Sequence, residues 1–297
     1  MKISIHIPFF NEKPEEKIKP LNKTKLFFLK KSLKSLQTLP IKKDVYVHCH
    51  DSFLKNKKLN CKLVHHNLSK DQLSKGYLTW VVRDVMEKQK NKYNFFMYIE
   101  YDILFNKSNF NYWLKYNSVL KNQKLNVGFL VLEKGIKDYY SFHLQNKLKE
   151  YIDFKNTKYF IVGFPYYCLW IYDQKDFKNF IKTKWWKFKW KGKNFRTFYG
   201  ITEMSATGWH GLNMDRYTAT VIPKIKNNLH PGCFTIHATN NYFYRKEKMK
   251  LSGRYLCKYK KDNLFSQSIL KYKGESKSRI LALKIKFYFR SILRLFR

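Results

Sequence analysis

Short apolar runs alternate with amphipathic stretches over the first two thirds of the chain, as expected of an α/β fold with a mainly parallel central sheet flanked by helices. Ile3–Phe9 predicts the first strand. Over Thr24–Leu36, residues Leu26, Phe27, Leu29, Leu33 and Leu36 recur at helical spacing, with Thr24 as N-cap. Asp44–His48 and Cys61–His65 predict strands, and Asp71–Met86 a helix with Leu73, Tyr77, Trp80, Val81 and Val85 inward. Asn94–Ile99 predicts a buried aromatic strand, Asn109–Leu120 a helix and Val127–Leu132 a strand. A Lys-rich stretch to Ile152 predicts helix, Phe164–Tyr172 a strand, Gln174–Lys182 a helix and Trp185–Lys193 a loop. Ile201–Leu212 predicts a helix, with Ala219–Ile222 and Cys233–His237 as late strands. The pattern divides the chain into a main domain over 1–240, an extension over 241–277 and a terminal helix over 278–297.

Composition narrows the class. With 44% hydrophobic and 18% aromatic residues in 297, a sizeable core is affordable and wholesale disorder is excluded. No stretch reaches the ~20 apolar residues of a membrane-spanning helix. The N-terminal run turns polar too soon for a signal peptide. Five scattered cysteines without a CxxC fit neither a disulfide framework nor a zinc site. These features predict a cytoplasmic protein.

The net charge of +39, from 60 basic and 21 acidic residues, invites a nucleic-acid reading. Only nine of the basic residues are Arg, however, and bidentate base recognition leans on Arg. Abundant Lys, Asn, Ile, Phe and Tyr follow an A/T-rich coding bias, so a nucleic-acid partner is not expected. The surface should still attract phosphates and acidic headgroups.

Five segments carry candidate chemistry. Ile5-His6-Ile7-Pro8-Phe9-Phe10-Asn11-Glu12 ends a strand where open α/β sheets bind ligands. Phe95-Phe96-Met97-Tyr98-Ile99-Glu100-Tyr101-Asp102 runs an apolar strand into two carboxylates at i, i+2, in a chain where acids are scarce. Such oxygen donors suit Mg²⁺ or Mn²⁺ with a diphosphate, and a solvated turn or helix cap is the alternative. Upstream, the stretch from Ser74 to Asp84 offers Lys75 and Arg83 as anion contacts or as ordinary charges on an amphipathic helix. Glu203 stands among small residues at a helix start, where the helix dipole alone would favour it. His237 closes a late apolar strand, as a ligand or as a core histidine. P-loop, dinucleotide, α/β-hydrolase and HExxH motifs are absent.

The order of these segments resembles GT-A glycosyltransferases over residues 3–240, with a family-2-like opening strand at Pro8–Glu12 and a DxD-type motif at Glu100–Asp102. Many relatives carry two adjacent acids where this chain has Tyr101-Asp102. The resemblance implies a nucleotide-diphosphate sugar donor, a glycan or lipid-linked acceptor and an Mn²⁺ or Mg²⁺ cofactor. It implies donor contacts from Pro8, Phe9, Asn11, Glu12, Lys75, Arg83, Glu100, Tyr101 and Asp102. Asp102 and His237 become metal ligands, with Glu100 a ribose or metal-water contact. Glu203 takes the place of the acceptor-side base of inverting members.

The tail predicts a peripheral contact with an anionic membrane. Arg279, Lys286, Arg290 and Arg297 fall on one helical stripe, and Leu281, Ile285, Tyr288, Phe289, Ile292, Leu295 and Phe296 on the opposite arc. A helix docked on its own domain is the alternative there. For the whole chain, the alternatives are a non-enzymatic nucleic-acid or polyanion binder, suggested by the charge and the Trp-Lys stretch, and a catalytically degenerate GT-A domain, suggested by Tyr101.

Overall fold

The computed structural model describes residues 1–11, 16–18, 21–144, 148–162, 166–187, 201–210, 219–244, 256–260 and 264–271. Glu12 and the predicted helix over 278–297 lie outside these residues. In chain order the main elements are β1 (Lys2–Pro8), α1 (Lys25–Gln37), β2 (Lys42–Cys49), β3 (Lys62–His65), α2 (Leu78–Lys88) and β4 (Phe95–Ile99). There follow β5 (Ile103–Leu104), α3 (Lys107–Leu120), β6 (Leu130–Lys134), β7 (Leu169–Asp173), α4 (Ile201–Thr207) and β8 (Phe234–His237).

The central sheet has the order β7-β4-β1-β2-β3. Its four inner and far strands are parallel, and β7 joins antiparallel at the edge. The α/β class with a mainly parallel central sheet and flanking helices is thus the observed one. β1 is covered on both faces, which is why it reads as a nearly continuous apolar run rather than an alternating one. Two of its polar members, Ser4 and His6, are equally buried and need partners inside the molecule.

A second sheet takes the order Cys257–Lys258, Tyr139–Ser141, β6, β8, β5. β8 is its hinge between neighbours: it runs parallel to β6 and antiparallel to β5. Two helices pin this sheet. Ser32 and Ser35 of α1 donate to the carbonyls of Ile103 and Phe105, both at 2.9 Å. Asn109 of α3 donates to the carbonyls of Gly232 and Phe234 at 2.8 and 2.7 Å, anchoring the start of β8. A third sheet joins Leu148–Phe154, Thr157–Ile161, Ala219–Ile225 and Phe265–Lys271 with shorter strands.

Five expectations need correction, the first being the loop predicted over Trp185–Lys193, whose described part, up to Lys187, belongs to the short helix Lys184–Lys187. The Lys-rich stretch predicted helical up to Ile152 instead forms Tyr139–Ser141 and Leu148–Phe154. The second of these closes a hairpin with Thr157–Ile161 through Lys155 and Asn156, at φ 47° and 57°. Two consecutive positive φ values match the twist of a tight hairpin, and that local turn overrides helix-favouring lysines. The strand predicted over Val127–Leu132 is two strands in two sheets, Leu125–Val127 and β6, separated at Gly128. The helix predicted over Asp71–Met86 is broken into Lys70–Ser74 and α2 by Gly76 at φ 77°. The strand predicted over Phe164–Tyr172 begins only at Leu169 among the described residues. Strands at 257–258 and 265–271, within the predicted extension, pair with Tyr139–Ser141 and Leu148–Phe154.

Candidate functional site

β4 delivers Glu100, Tyr101 and Asp102 to the C-terminal edge of the parallel sheet, one strand away from the end of β1. The Glu100 N–H donates to the Cys168 carbonyl at 2.9 Å, which holds the chain until it turns into the second sheet as β5. There Ile103 pairs with His237. On the other side of β8, Ile236 pairs with Leu132, so Glu133 and His237 follow next in register. Three adjacent strands therefore set Asp102, His237 and Glu133 side by side.

The side chains lock accordingly. His237 Nε2 lies 3.0 Å from Asp102 Oδ2, and its Nδ1 contacts Glu133 Oε1 closely. The Thr239 hydroxyl donates to Asp102 Oδ2 at 2.8 Å and lies 2.9 Å from His237 Nε2. All four residues are buried. The Asp102 backbone carbonyl accepts the Ala238 N–H at 2.8 Å. Its Oδ1, by contrast, is buried without a hydrogen-bond partner. Orphaned buried carboxylate oxygens are costly and call for an explanation.

Electrostatics follow the geometry. Burial alone disfavours the His237 imidazolium, but the charge of Asp102 and hydrogen bonds to Asp102 and Glu133 prevail and raise its pKa to about 10. Burial would raise Asp102, yet the adjacent imidazolium and the bonds from His237 and Thr239 hold it below its ordinary value. Glu100 is pushed up to about 7 by burial and by the Asp102 charge, while the Tyr166 hydroxyl donates to its Oε1 at 2.9 Å. Neighbouring carboxylates separated in this way can occupy different protonation states near neutral pH.

The remaining candidates spread around this centre. Phe9 and Tyr101 meet edge to face at 5.6 Å, joining the end of β1 to the acidic turn. Asn11 is 3% exposed, and its Nδ2 is buried without a partner. Pro8 ends β1, paired in register with His48 of β2. Lys75 caps the short helix Lys70–Ser74 and pairs with Asp71 at 2.6 Å. Arg83 is only 5% exposed, with its guanidinium 3.7 Å from the Trp80 ring centre and 4.9 Å from that of Trp186. Its Nη1 donates to the Trp186 carbonyl at 3.4 Å. Glu203 lies on α4, and its side chain is outside the described part.

Glu133, Thr239 and Tyr166 were not apparent from the sequence. Glu133 looks like the solvated end of an apolar strand and Thr239 like a loop residue; only strand register joins them to His237. Among the described residues, no three His, Cys, Asp or Glu side chains are arranged to hold one metal ion together, because Glu133 grips the opposite nitrogen of His237. No helix there is long and apolar enough to cross a membrane.

The sequence matches no protein-family model and no curated protein. Solved structures with a similar course of chain include S. aureus TarS 1-349, at 15% identity and a TM-score of 0.40, covering 84% of this chain and 64% of that one. The same protein in complex with UDP-GlcNAc gives 15% identity and 0.36 over 74% and 56%. The 4-diphosphocytidyl-2C-methyl-D-erythritol synthase of Anaerococcus prevotii gives 10% identity and 0.36 over 84% and 96%. The chain thus spans less than two thirds of the TarS chains, and at these scores its chemistry has to be argued from its own residues.

Proposed function

We propose that this chain is a glycosyltransferase of the GT-A type, transferring a sugar from a nucleotide-diphosphate donor to a glycan or lipid-linked acceptor with Mn²⁺ or Mg²⁺. The observation that carries the reading is Asp102. It sits at the C-terminal edge of a parallel sheet, where ligands of open α/β folds bind, with a buried oxygen that lacks a partner. The residues fit a divalent cation: Asp102 and His237 would hold it, and carboxylate and imidazole donors suit Mn²⁺. Such an ion supplies charge neutralisation to a departing diphosphate.

The protein's own groups have separate roles in this reading. Asn11, buried with an unsatisfied amide, offers a hydrogen bond to the donor. Phe9 and Tyr101 form an aromatic wall between the two strand ends. Glu100, with its pKa near 7, can exchange a proton or accept a ribose hydroxyl. Glu203 is the proposed base for the acceptor. The basic tail is proposed to hold the enzyme at an anionic membrane.

Ligand binding to the folded state raises the melting temperature by mass action. A thermal-shift screen of nucleoside diphosphates and their sugar conjugates, with and without Mn²⁺, is therefore the test. Stabilisation by one nucleotide only when Mn²⁺ is present is the expected result. A panel in which no nucleotide shifts the transition with the metal overturns the reading.

A further inference from the structure

We propose that Thr239 is a third cation donor beside Asp102 and His237, and that Glu133 is the residue that positions His237 for it. This inference rests on the metal-dependent reading above and adds two residues to it.

The argument is one of proton counting. Asp102 Oδ2, His237 Nε2 and Thr239 Oγ1 form a closed triangle with edges of 3.0, 2.8 and 2.9 Å. The ionised carboxylate oxygen carries no hydrogen, while the ring nitrogen and the hydroxyl each carry at most one. Two hydrogens cannot serve three edges, so at least one short contact has no proton of its own. An octahedral cation removes the difficulty, because all three atoms then offer lone pairs to the same point. At the ~2.0–2.1 Å bond lengths of Mg²⁺, adjacent donors in an octahedron stand about 2.9 Å apart. The three edges match one face of that octahedron. The unpartnered Asp102 Oδ1 is an independent sign, since it adds donor capacity that nothing in the protein uses.

Thr239 reaches this position by a tight turn. The Asn240 N–H donates back to the His237 carbonyl at 3.2 Å, and Asn240 takes φ 52°. Its Oδ1 accepts the Lys134 N–H at 3.0 Å, tying the turn to β6. The hydroxyl is thereby folded back over the histidine rather than left in solvent, and Thr239 is fully buried.

Glu133 is fully committed elsewhere. Its Oε1 takes His237 Nδ1 and the Tyr242 N–H at 3.1 Å, and its Oε2 takes the Phe243 N–H. With Nδ1–H held by Glu133, release of the imidazolium's Nε2 proton on cation binding would leave the lone pair on Nε2, the atom facing Asp102 and Thr239. A carboxylate on the far ring nitrogen is the recurrent support of a metal-bound histidine.

The test measures Mn²⁺ binding to the full-length protein by the EPR signal of free Mn²⁺, with nucleoside diphosphate present and absent. Melting temperature in chelator monitors the fold. Thr239→Val should weaken Mn²⁺ at least tenfold, and Thr239→Ser should bind like the parent. Thr239→Cys should lose Mn²⁺ affinity but gain Cd²⁺ affinity, because a thiolate prefers the softer ion; a merely structural threonine would produce no such exchange. Glu133→Gln should lose about 10–100-fold in affinity while the Asp102 and Thr239 donors stay in place. If the parent binds Mn²⁺ through Asp102 but the three Thr239 variants bind it with parental affinity and selectivity, Thr239 is not a donor, although the metal reading stands. Parental affinity in Glu133→Gln likewise removes its positioning role. A parent that binds no Mn²⁺ under either condition overturns both the inference and the reading beneath it.

Discussion

Ile103 pairs with His237 across two antiparallel strands, and this single register brings the acidic turn of β4 against a histidine 135 residues later in the chain. The central sheet ends at Ile99, and the next pairing belongs to another sheet. Asp102 occupies the crossing point. A residue there can face the edge of the first sheet while its neighbours are held by the second, which is how a rigid site arises on a short loop.

Asp102→Asn should abolish metal-dependent nucleotide binding. An amide is a much poorer donor to a hard cation than a carboxylate. The substitution also removes one of the two charges that flank the buried His237, so the melting temperature should fall as well. Calorimetric titration of nucleotide with and without Mn²⁺ separates the two effects. Parental metal-dependent affinity in a folded variant contradicts the assignment.

This crossing explains what the sequence could and could not reveal. Glu100 and Asp102 stand out because acids are scarce and an apolar strand runs directly into them. His237 stands out because it closes a strand of matching type. Glu133 carries no comparable mark, since an acid after Leu130-Val131-Leu132 is the ordinary end of a strand. Its role exists only through the pairing of β6 with β8, a long-range property. The hairpin at Lys155-Asn156 was hidden for the opposite reason: a local turn outweighed a composition that favours helix. Arg83 shows a further limit, because helical spacing places its Cα but does not decide whether an arginine meets solvent, ligand or tryptophan.

Arg83→Lys should cost about 1–2 kcal/mol of stability and leave nucleotide affinity unchanged. The guanidinium spreads over Trp80 and approaches Trp186 and Phe180, contacts a compact ammonium cannot reproduce. Denaturant unfolding and nucleotide titration of the same variant provide the check. A large loss of nucleotide affinity at parental stability would return Arg83 to the donor site.

Gly76→Ala should destabilise the protein by about 1–3 kcal/mol. Gly76 adopts φ 77°, and a Cβ built there would stand 2.5 Å from Thr202 Oγ1 on α4. The added methyl is therefore opposed by both the backbone and the neighbouring helix. Thr79 of α2 also donates to Ser205 of α4 at 3.2 Å, so displacement of α4 would disturb a second contact. Unfolding measured on Gly76→Ala and on Gly76→Ala/Thr202→Ala tests the steric part: the double variant should recover some of the loss. No recovery would assign the whole cost to the backbone.

Acid should destabilise the fold through a chain of buried imidazoles crossing the central sheet. Ser4 Oγ donates to Gln89 Oε1 at 2.8 Å and so accepts from His6 Nε2 at 2.6 Å. With its hydrogen on Nε2, neutral His6 accepts at Nδ1 from His48 Nε2 at 2.9 Å, and His48 Nδ1 accepts from His66 Nε2 at 2.8 Å. One tautomer at each ring satisfies every link; His6 and His48 must be neutral because each accepts at Nδ1, whereas His66 only donates. Burial lowers His6 to about 3 and takes His48 well below its ordinary value, helped by the charges its two histidine neighbours would carry. Burial also lowers His66, against the opposing pull of Asp84. The unfolded chain takes up protons at these rings below about pH 6.5 and the folded chain does not, so their contribution to stability is complete above that pH and falls as the pH drops. The slope is about 1.4 kcal/mol per pH unit for each ring fully held neutral. His6 and His48 satisfy that condition; His66, more exposed, contributes less. His143, likewise lowered by burial to about 3, adds to the same acid limb. Denaturant unfolding between pH 8 and 5 should therefore show a decline below about pH 6.5, offset in part by Glu100, and a separate fall above about pH 6.5, where folded His237 keeps a proton that the unfolded chain has lost. In His48→Gln, where no ring at position 48 remains to be protonated, the decline should be shallower. An acid limb equally steep in the parent and in His48→Gln would mean that the His48 ring does not stay neutral in the folded protein.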